Sequence, residues 1–319
     1  MSIRKRQWWV FISWFFAFLS VGSAMSVSPP QGVTGRWDLT VGSGDKAYPS
    51  WLEITNQGDE LSGRFVGRFG SARPIKKIAF EEGRLTFSLP AQFEKSKSDM
   101  SFSARLTSDV DRLEGSTISE DGAELSWVGV RAPALPKPTN VKWGTSIALF
   151  NGQDLTGWEM RNSRGPNGWK AVNHVMQNEM PSGDIRTKKE FKDFKLHIEF
   201  NCPSKSNSGV YLRGRYEVQI EDSYGQPPES HRLGGLYGFI DPTENAGKPG
   251  GEWQTYDITL LGRYVTVVLN GETIIDDKEI PGITGGALHS REDDPGPILL
   301  QGDHGKISFR NIVLTPAEE

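Results

Sequence analysis

The stretch Asn207–Gly225, NSGVYLRGRYEVQIEDSYG, collects Tyr211, Arg213, Glu217, Gln219 and Asp222 within what reads as a strand pair. Two carboxylates beside a guanidinium can move protons and hold a developing negative charge. The same set suits a sugar, because planar donors and acceptors read hydroxyls and an aromatic ring packs on the pyranose face. The plain alternative is an Arg213–Glu217 ion pair across a solvated sheet face, which contributes about 0.2–1 kcal/mol and needs no function.

Period two places Val210, Leu212, Val218 and Ile220 on one core face. A three-residue loop from Gly214 to Tyr216 then sets Arg213 opposite Glu217, Tyr211 opposite Gln219, Leu212 opposite Val218 and Val210 opposite Ile220. A two-residue loop would break this match, since a one-residue slip turns every side chain over. The expected polar face is Tyr211, Arg213, Glu217 and Gln219, with Asp222 near the strand end. Elsewhere, His304 in LQGDHG titrates near neutrality and can pass a proton either way, or simply bond a backbone carbonyl in its loop. Gln301 shares that loop. Asn207 and Ser208 stand before the strand, where Asn-Ser-Gly is also ordinary turn chemistry. Tyr237 and Trp253 are aromatic candidates, and core packing suits Trp253 better.

The 319 residues leave room for two domains. The 36 Gly, 19 Pro and 10 Trp indicate a turn-rich β-protein, and the net charge of −4 with no basic excess and no long like-charge run argues against nucleic acid as a partner. Residues 31–134 hold eight short candidate strands separated by Gly, Asp, Asn or Ser, the pattern of a small up-and-down β-barrel. Its opening Gly35-Arg36-Trp37 resembles the first strand of lipocalin-like barrels. Pro133, Pro136 and Pro138 mark a semi-rigid linker at 135–143. Residues 144–319 read as antiparallel strands with long loops, the pattern of a two-sheet jelly-roll sandwich; Asn270-Gly271 is a hairpin signal, and TKKEFKDF at 187–194 reads as one helical turn. The fold class is therefore all-β throughout. Arg4, Lys5 and Arg6, an apolar run and Gly22, Ser23 and Ala24 have the form of a signal peptide over 1–24, so the protein is expected to be exported, to the periplasm or the cell exterior. Cys202 is the single cysteine, which excludes an intrachain disulfide.

The second domain resembles the 3-keto-disaccharide hydrolase family, which has a concanavalin A-like sandwich. The resemblance runs through LFNGQDLTGWEM (149–160), TKKEFKDFKLHIEF (187–200), the 207–225 stretch, GLYG (235–238), GEWQTYDIT (251–259), LNGE (269–272) and GPILLQGDHGKISFRNI (296–312). One departure is Gln254, where the family more often has Asn. The first domain lies outside the resemblance. The family implies a 3-keto-glycoside or oligosaccharide substrate, supplied by a sugar 3-dehydrogenase. The ketone acidifies the C2 proton; its removal, β-elimination of the C1 leaving group and hydration cleave the bond. On this reading Arg213 holds the C3 oxygen, Glu217 and Asp222 are base and acid in an unassigned order, and His304 is a further proton-transfer candidate. Asn207, Ser208, Tyr211, Gln219, Tyr237 and Gln301 bind the sugar.

Three other readings stand beside it. Two carboxylates can hydrolyse an unoxidised glycoside directly. A divalent metal held by Glu217, Asp222 or His304 can polarise the ketone, although no metal motif is present; the acidic runs Asp276-Asp277 and Glu292-Asp293-Asp294 read as solvated loops. A lectin-like glycan-binding protein needs no proton-transfer pair at all. Convergence of Glu217, Asp222 and His304 beside Arg213 would separate enzyme from lectin.

Overall fold

A computed structural model describes residues 32–318 apart from 59, 94–97, 109–110 and 120–121. The expected leader over 1–24 lies outside these residues. Among the described residues no helix is long and apolar enough to cross a membrane.

Eight strands from Gly35–Val41 to Glu124–Arg131 pair in chain order, and the first pairs with the last, closing an up-and-down barrel. The alternation of inward apolar and outward polar residues is clearest in Arg84–Leu89, where Leu85, Phe87 and Leu89 are buried between exposed neighbours. Closure removes both sheet edges, which an open eight-stranded ribbon would leave to pair with other chains. Trp37 is fully buried at one end. Its indole donates to the Val33 carbonyl at 2.9 Å, and the Arg131 guanidinium lies 3.8 Å from its ring.

The second domain stacks two antiparallel sheets. One holds Trp158–Met160, Ile185–Thr187, Leu299–Leu300, Asn207–Leu212 and Tyr216–Glu221 in that order. The other runs Trp169–Val172, Val175–Asn178, Ile307–Pro316, Phe194–Asn201, Trp253–Leu261, Tyr264–Leu269 and Glu272–Glu279, with Ile147–Ala148 paired to Ile307–Pro316. Phe194, Leu196, Ile198 and Phe200 face inward on one strand, and Val210, Leu212, Val218 and Ile220 meet them from the opposite sheet. The helical turn expected at 187–194 is absent. That segment bonds instead to the loop before Leu299, with Phe191 and Gly296 exchanging two backbone bonds of 2.8 and 2.9 Å.

Barrel and sandwich share a packed interface. Trp51 of the barrel meets Phe239 edge-on at 5.3 Å and belongs to the sandwich's own core cluster. Arg263 donates to Glu292 within the sandwich and to the carbonyl of Pro133, at the end of the barrel segment just before the linker, at 2.9 Å. The barrel's Asp38 is buried against Glu292. Burial and that neighbouring carboxylate push Asp38 up to about 9. Glu292, expected in a solvated acidic loop, is thus fully buried, where it accepts from Arg263 and from the Tyr216 hydroxyl at 2.6 Å.

Candidate active site

The hairpin turns two residues away from the expected register. Tyr211 stands opposite Glu217, Gly209 opposite Gln219 and Leu212 opposite Tyr216, so the loop is Arg213–Arg215. Arg213 and Gly214 both take left-handed φ, 51° and 63°, and the Arg215 amide bonds back to the Leu212 carbonyl at 3.1 Å. A two-residue shift preserves faces. Asn207, Gly209, Tyr211, Glu217 and Gln219 therefore still share one side of the sheet.

That side floors a cleft of about 300 Å3. Asn207, Tyr211, Glu217, Gln219, Tyr237, Gln301 and His304, all expected from sequence, line it. Three others do not. Arg213 sits in the turn, fully buried, with its guanidinium donating to the Gly262 carbonyl, because the strand ends one residue before it. Asp222 lies beyond the strand end, where it accepts the Lys205 amide at 2.8 Å and so closes its own loop. Ser208 points to the core face and donates to the Gln301 carbonyl at 2.8 Å, which fixes the loop leading to His304.

Sequence reasoning missed Arg161, Asp184 and Asp303, which also line the cleft. Arg161 and Asp184 follow and precede the short paired strands Trp158–Met160 and Ile185–Thr187, so both arrive at the same sheet end. Arg161 donates to Asp184 at 3.1 Å and to the carbonyls of Gly286 and Ala287 at 2.7 and 3.2 Å, which fixes the guanidinium at the rim. Burial, with Asp303 nearby, raises Asp184. The adjacent Asp303 was the one visible hint, as the residue before His304.

The chemistry concentrates on two groups. Glu217 is 3% exposed and no guanidinium pairs with it; burial pushes its carboxyl up to about 8, against opposing contributions from Tyr211 and His304. Its carboxyl lies over Gly209, where a β-carbon would stand 2.3 Å from Oε1, so a larger residue there would push the carboxyl aside. The Tyr211 hydroxyl lies 2.8 Å from Glu217 Oε2 and 3.0 Å from the Gly285 carbonyl. One hydroxyl proton thus has two acceptors, and it can turn to Gly285 whenever Glu217 carries its own proton. His304 Nδ1 meets Asp303 Oδ1 at 2.5 Å, and this contact raises His304 and lowers Asp303. Asp303 thereby fixes the tautomer and leaves Nε2 for proton transfer.

The remaining residues can position a polyhydroxylated ligand. Gln301 Oε1 is buried without a hydrogen-bond partner. Gln219 donates to the His231 carbonyl at 3.3 Å, and Tyr237 packs edge-on against His231 at 5.0 Å. Trp253 lies away from the cleft under the Arg310 guanidinium. Among the described residues no group of three or more His, Cys, Asp or Glu is arranged to hold a metal ion. A hollow of about 450 Å3 on the barrel wall is lined by Ser and Thr, by Ala79 and Ile118, and by Phe87 and Phe102, with Lys77 as its charged member, and offers no proton-transfer pair.

Residues 145–315 match the family described as the 3-keto-alpha-glucoside-1,2-lyase-like domain. The chain belongs to this family. No curated protein matches it significantly. Among solved structures, a presumed glycosyl hydrolase of Parabacteroides distasonis is 33% identical over 57% of this chain and 93% of its own, with a TM-score of 0.46. A second from the same organism is 23% identical over 54% and 94%, also at 0.46. A β-glucanase of Bacillus licheniformis is 13% identical over 55% and 99%, at 0.36. Family membership places the chain among carbohydrate-active, glycoside-acting enzymes.

Proposed function

We propose that the cleft cleaves glycosides carrying a ketone at C3 of the sugar, by C2 deprotonation, β-elimination and hydration. The observation that carries this reading is the pairing, in one cleft, of a buried carboxyl at about 8 with a histidine backed by a carboxylate. An acid–base elimination needs one group that takes a proton and another that gives one, and the cleft holds a candidate for each.

In this reading His304 Nε2 takes the C2 proton, and the electron pair enters the C2–C3 bond to give an enolate. Arg161, held by three fixed contacts, faces the C3 oxygen, the role first expected of Arg213. The enolate collapses, the C1–O bond breaks, and protonated Glu217 gives its proton to the departing oxygen. Tyr211 then turns its hydroxyl from Gly285 to the ionised carboxylate. Water adds to C1 of the resulting enone as C2 regains a proton, so the net change is hydrolysis. The ketone must arise by oxidation of a secondary alcohol, so a sugar 3-dehydrogenase precedes this step. The leader-like start supports export to the periplasm or cell exterior. A lectin would have no use for the Glu217 and His304 arrangement.

The test uses 3-keto-glucosides with poor and good leaving groups, and their unoxidised parents, in deuterated water. His304→Gln should lose about 10²–10⁴-fold in rate and lose deuterium exchange at C2. Glu217→Gln should keep C2 exchange and be impaired far more with a sugar leaving group than with a nitrophenol. Equal cleavage of the parents, with no deuterium at C2, would replace this reading with conventional glycoside hydrolysis.

A further inference from the structure

We propose that the barrel builds the leaving-group half of the cleft, and that Phe69 and Phe93 form an apolar subsite there selecting glycosides with a flat aromatic aglycone. This rests on reading the cleft as a glycoside-cleaving site.

Both phenylalanines line the same cleft as Glu217 and His304, yet they are 54% and 61% exposed. Most of each ring therefore remains open to water or to a ligand. The cleft is two-sided in chemistry. The sandwich contributes Arg161, Asp184, Asp303 and His304, and the barrel contributes two phenyl rings and Gly70. A phenyl ring offers no donor or acceptor, so it cannot read hydroxyls as Tyr or Trp does. The sugar belongs on the sandwich side, over the proton-transfer pair. The aglycone, which leaves from C1, meets the rings.

The rings are held in place from both domains. The Gly286 amide donates to the Arg68 carbonyl at 3.0 Å, and a β-carbon on Gly285 would stand 2.2 Å from the Gly70 oxygen. The barrel loop is thus seated directly on the sandwich loop whose Gly285 carbonyl accepts from Tyr211. Gly70, at φ +84°, lets the Phe93 ring lie on the loop backbone, since a β-carbon there would meet that ring at 2.8 Å. The Arg68 guanidinium sits 5.2 Å from the Phe69 ring. These contacts present two half-exposed rings at the mouth of a polar cleft, the arrangement an apolar-faced group can enter by displacing water.

The experiment compares wild type, Phe69→Ala, Phe93→Ala, the double variant and the Phe93→Leu control on phenyl, methyl and glucosyl 3-keto-glucosides. The ratio of phenyl to methyl kcat/KM should fall about tenfold in the double variant, and partly recover with Leu at 93. In parallel, saturation-transfer NMR with unoxidised phenyl glucoside should show magnetisation reaching the aryl protons in wild type and lost in the double variant. If the ratio is unchanged, or the glucosyl substrate alone suffers, the aromatic subsite is overturned. If no keto-glycoside is cleaved but the aryl contact depends on the two rings, the subsite stands and the proposed reaction falls.

Discussion

Two Tyr–Glu pairs branch from one hairpin and end in different chemistry. Tyr211 meets Glu217 at 2.8 Å on the cleft side, and Tyr216 meets Glu292 at 2.6 Å on the core side. Glu292 has Arg263 against it; Glu217 has no guanidinium. The buried Arg263 guanidinium offsets the burial of the Glu292 carboxylate by direct contact. A carboxyl without one keeps its proton to higher pH, because burial penalises the charge. The charge partner decides which glutamate joins two domains and which can donate a proton.

The largest effect tests the first half of this contrast. Glu292→Ala leaves Arg263 buried without its carboxylate and should destabilise the protein by about 3–5 kcal/mol in denaturant melts. A loss no larger than an ordinary surface change would mean that the pair does not hold the interface.

Glu217→Gln probes the second half. The folded-state value, about 8, lies above the ordinary 4.5, so the folded protein keeps a proton that the unfolded chain releases. Wild-type stability is therefore lost progressively as pH rises from 4.5 to 8, and the variant, with no proton to lose, escapes this. The variant should gain on the order of 2–4 kcal/mol relative to wild type between pH 5 and pH 9. A stability gap that does not move with pH would show that Glu217 ionises normally.

The smallest effect sets the floor. Arg186 and Glu159 pair at 2.8 Å with both side chains substantially exposed. Glu159→Gln should change stability by less than about 1 kcal/mol, and added salt should shrink the difference.

Much of this arrangement was legible from residues alone. The barrel strands announced themselves by period two and by turn residues between them, and seven of the lining residues were named in advance. The hairpin's faces survived although its register did not, because a two-residue shift keeps parity. The register itself turned on Arg213 taking a left-handed backbone, which nothing in its side chain signals. Arg161 and Asp184 escaped notice because their flanking strands are three residues long and meet only in three dimensions. Glu292 looked solvated because it sits in an acidic run, while its partner Arg263 lies 29 positions earlier. Phe69 and Phe93 carry no motif; their meaning appears only when the barrel is set on the sandwich.

The place of Ile307–Pro316 in the second sheet has a consequence for how the molecule is made. It lies between Val175–Asn178 and Phe194–Asn201 rather than at an edge. The barrel has all its strands once Arg131 has been synthesised, and it can close while the remainder is still on the ribosome. The sandwich lacks an interior strand until residue 316 has emerged. During synthesis, the finished barrel must therefore wait with Trp51 not yet covered by the sandwich, a long interval in which a chaperone would find apolar surface to hold.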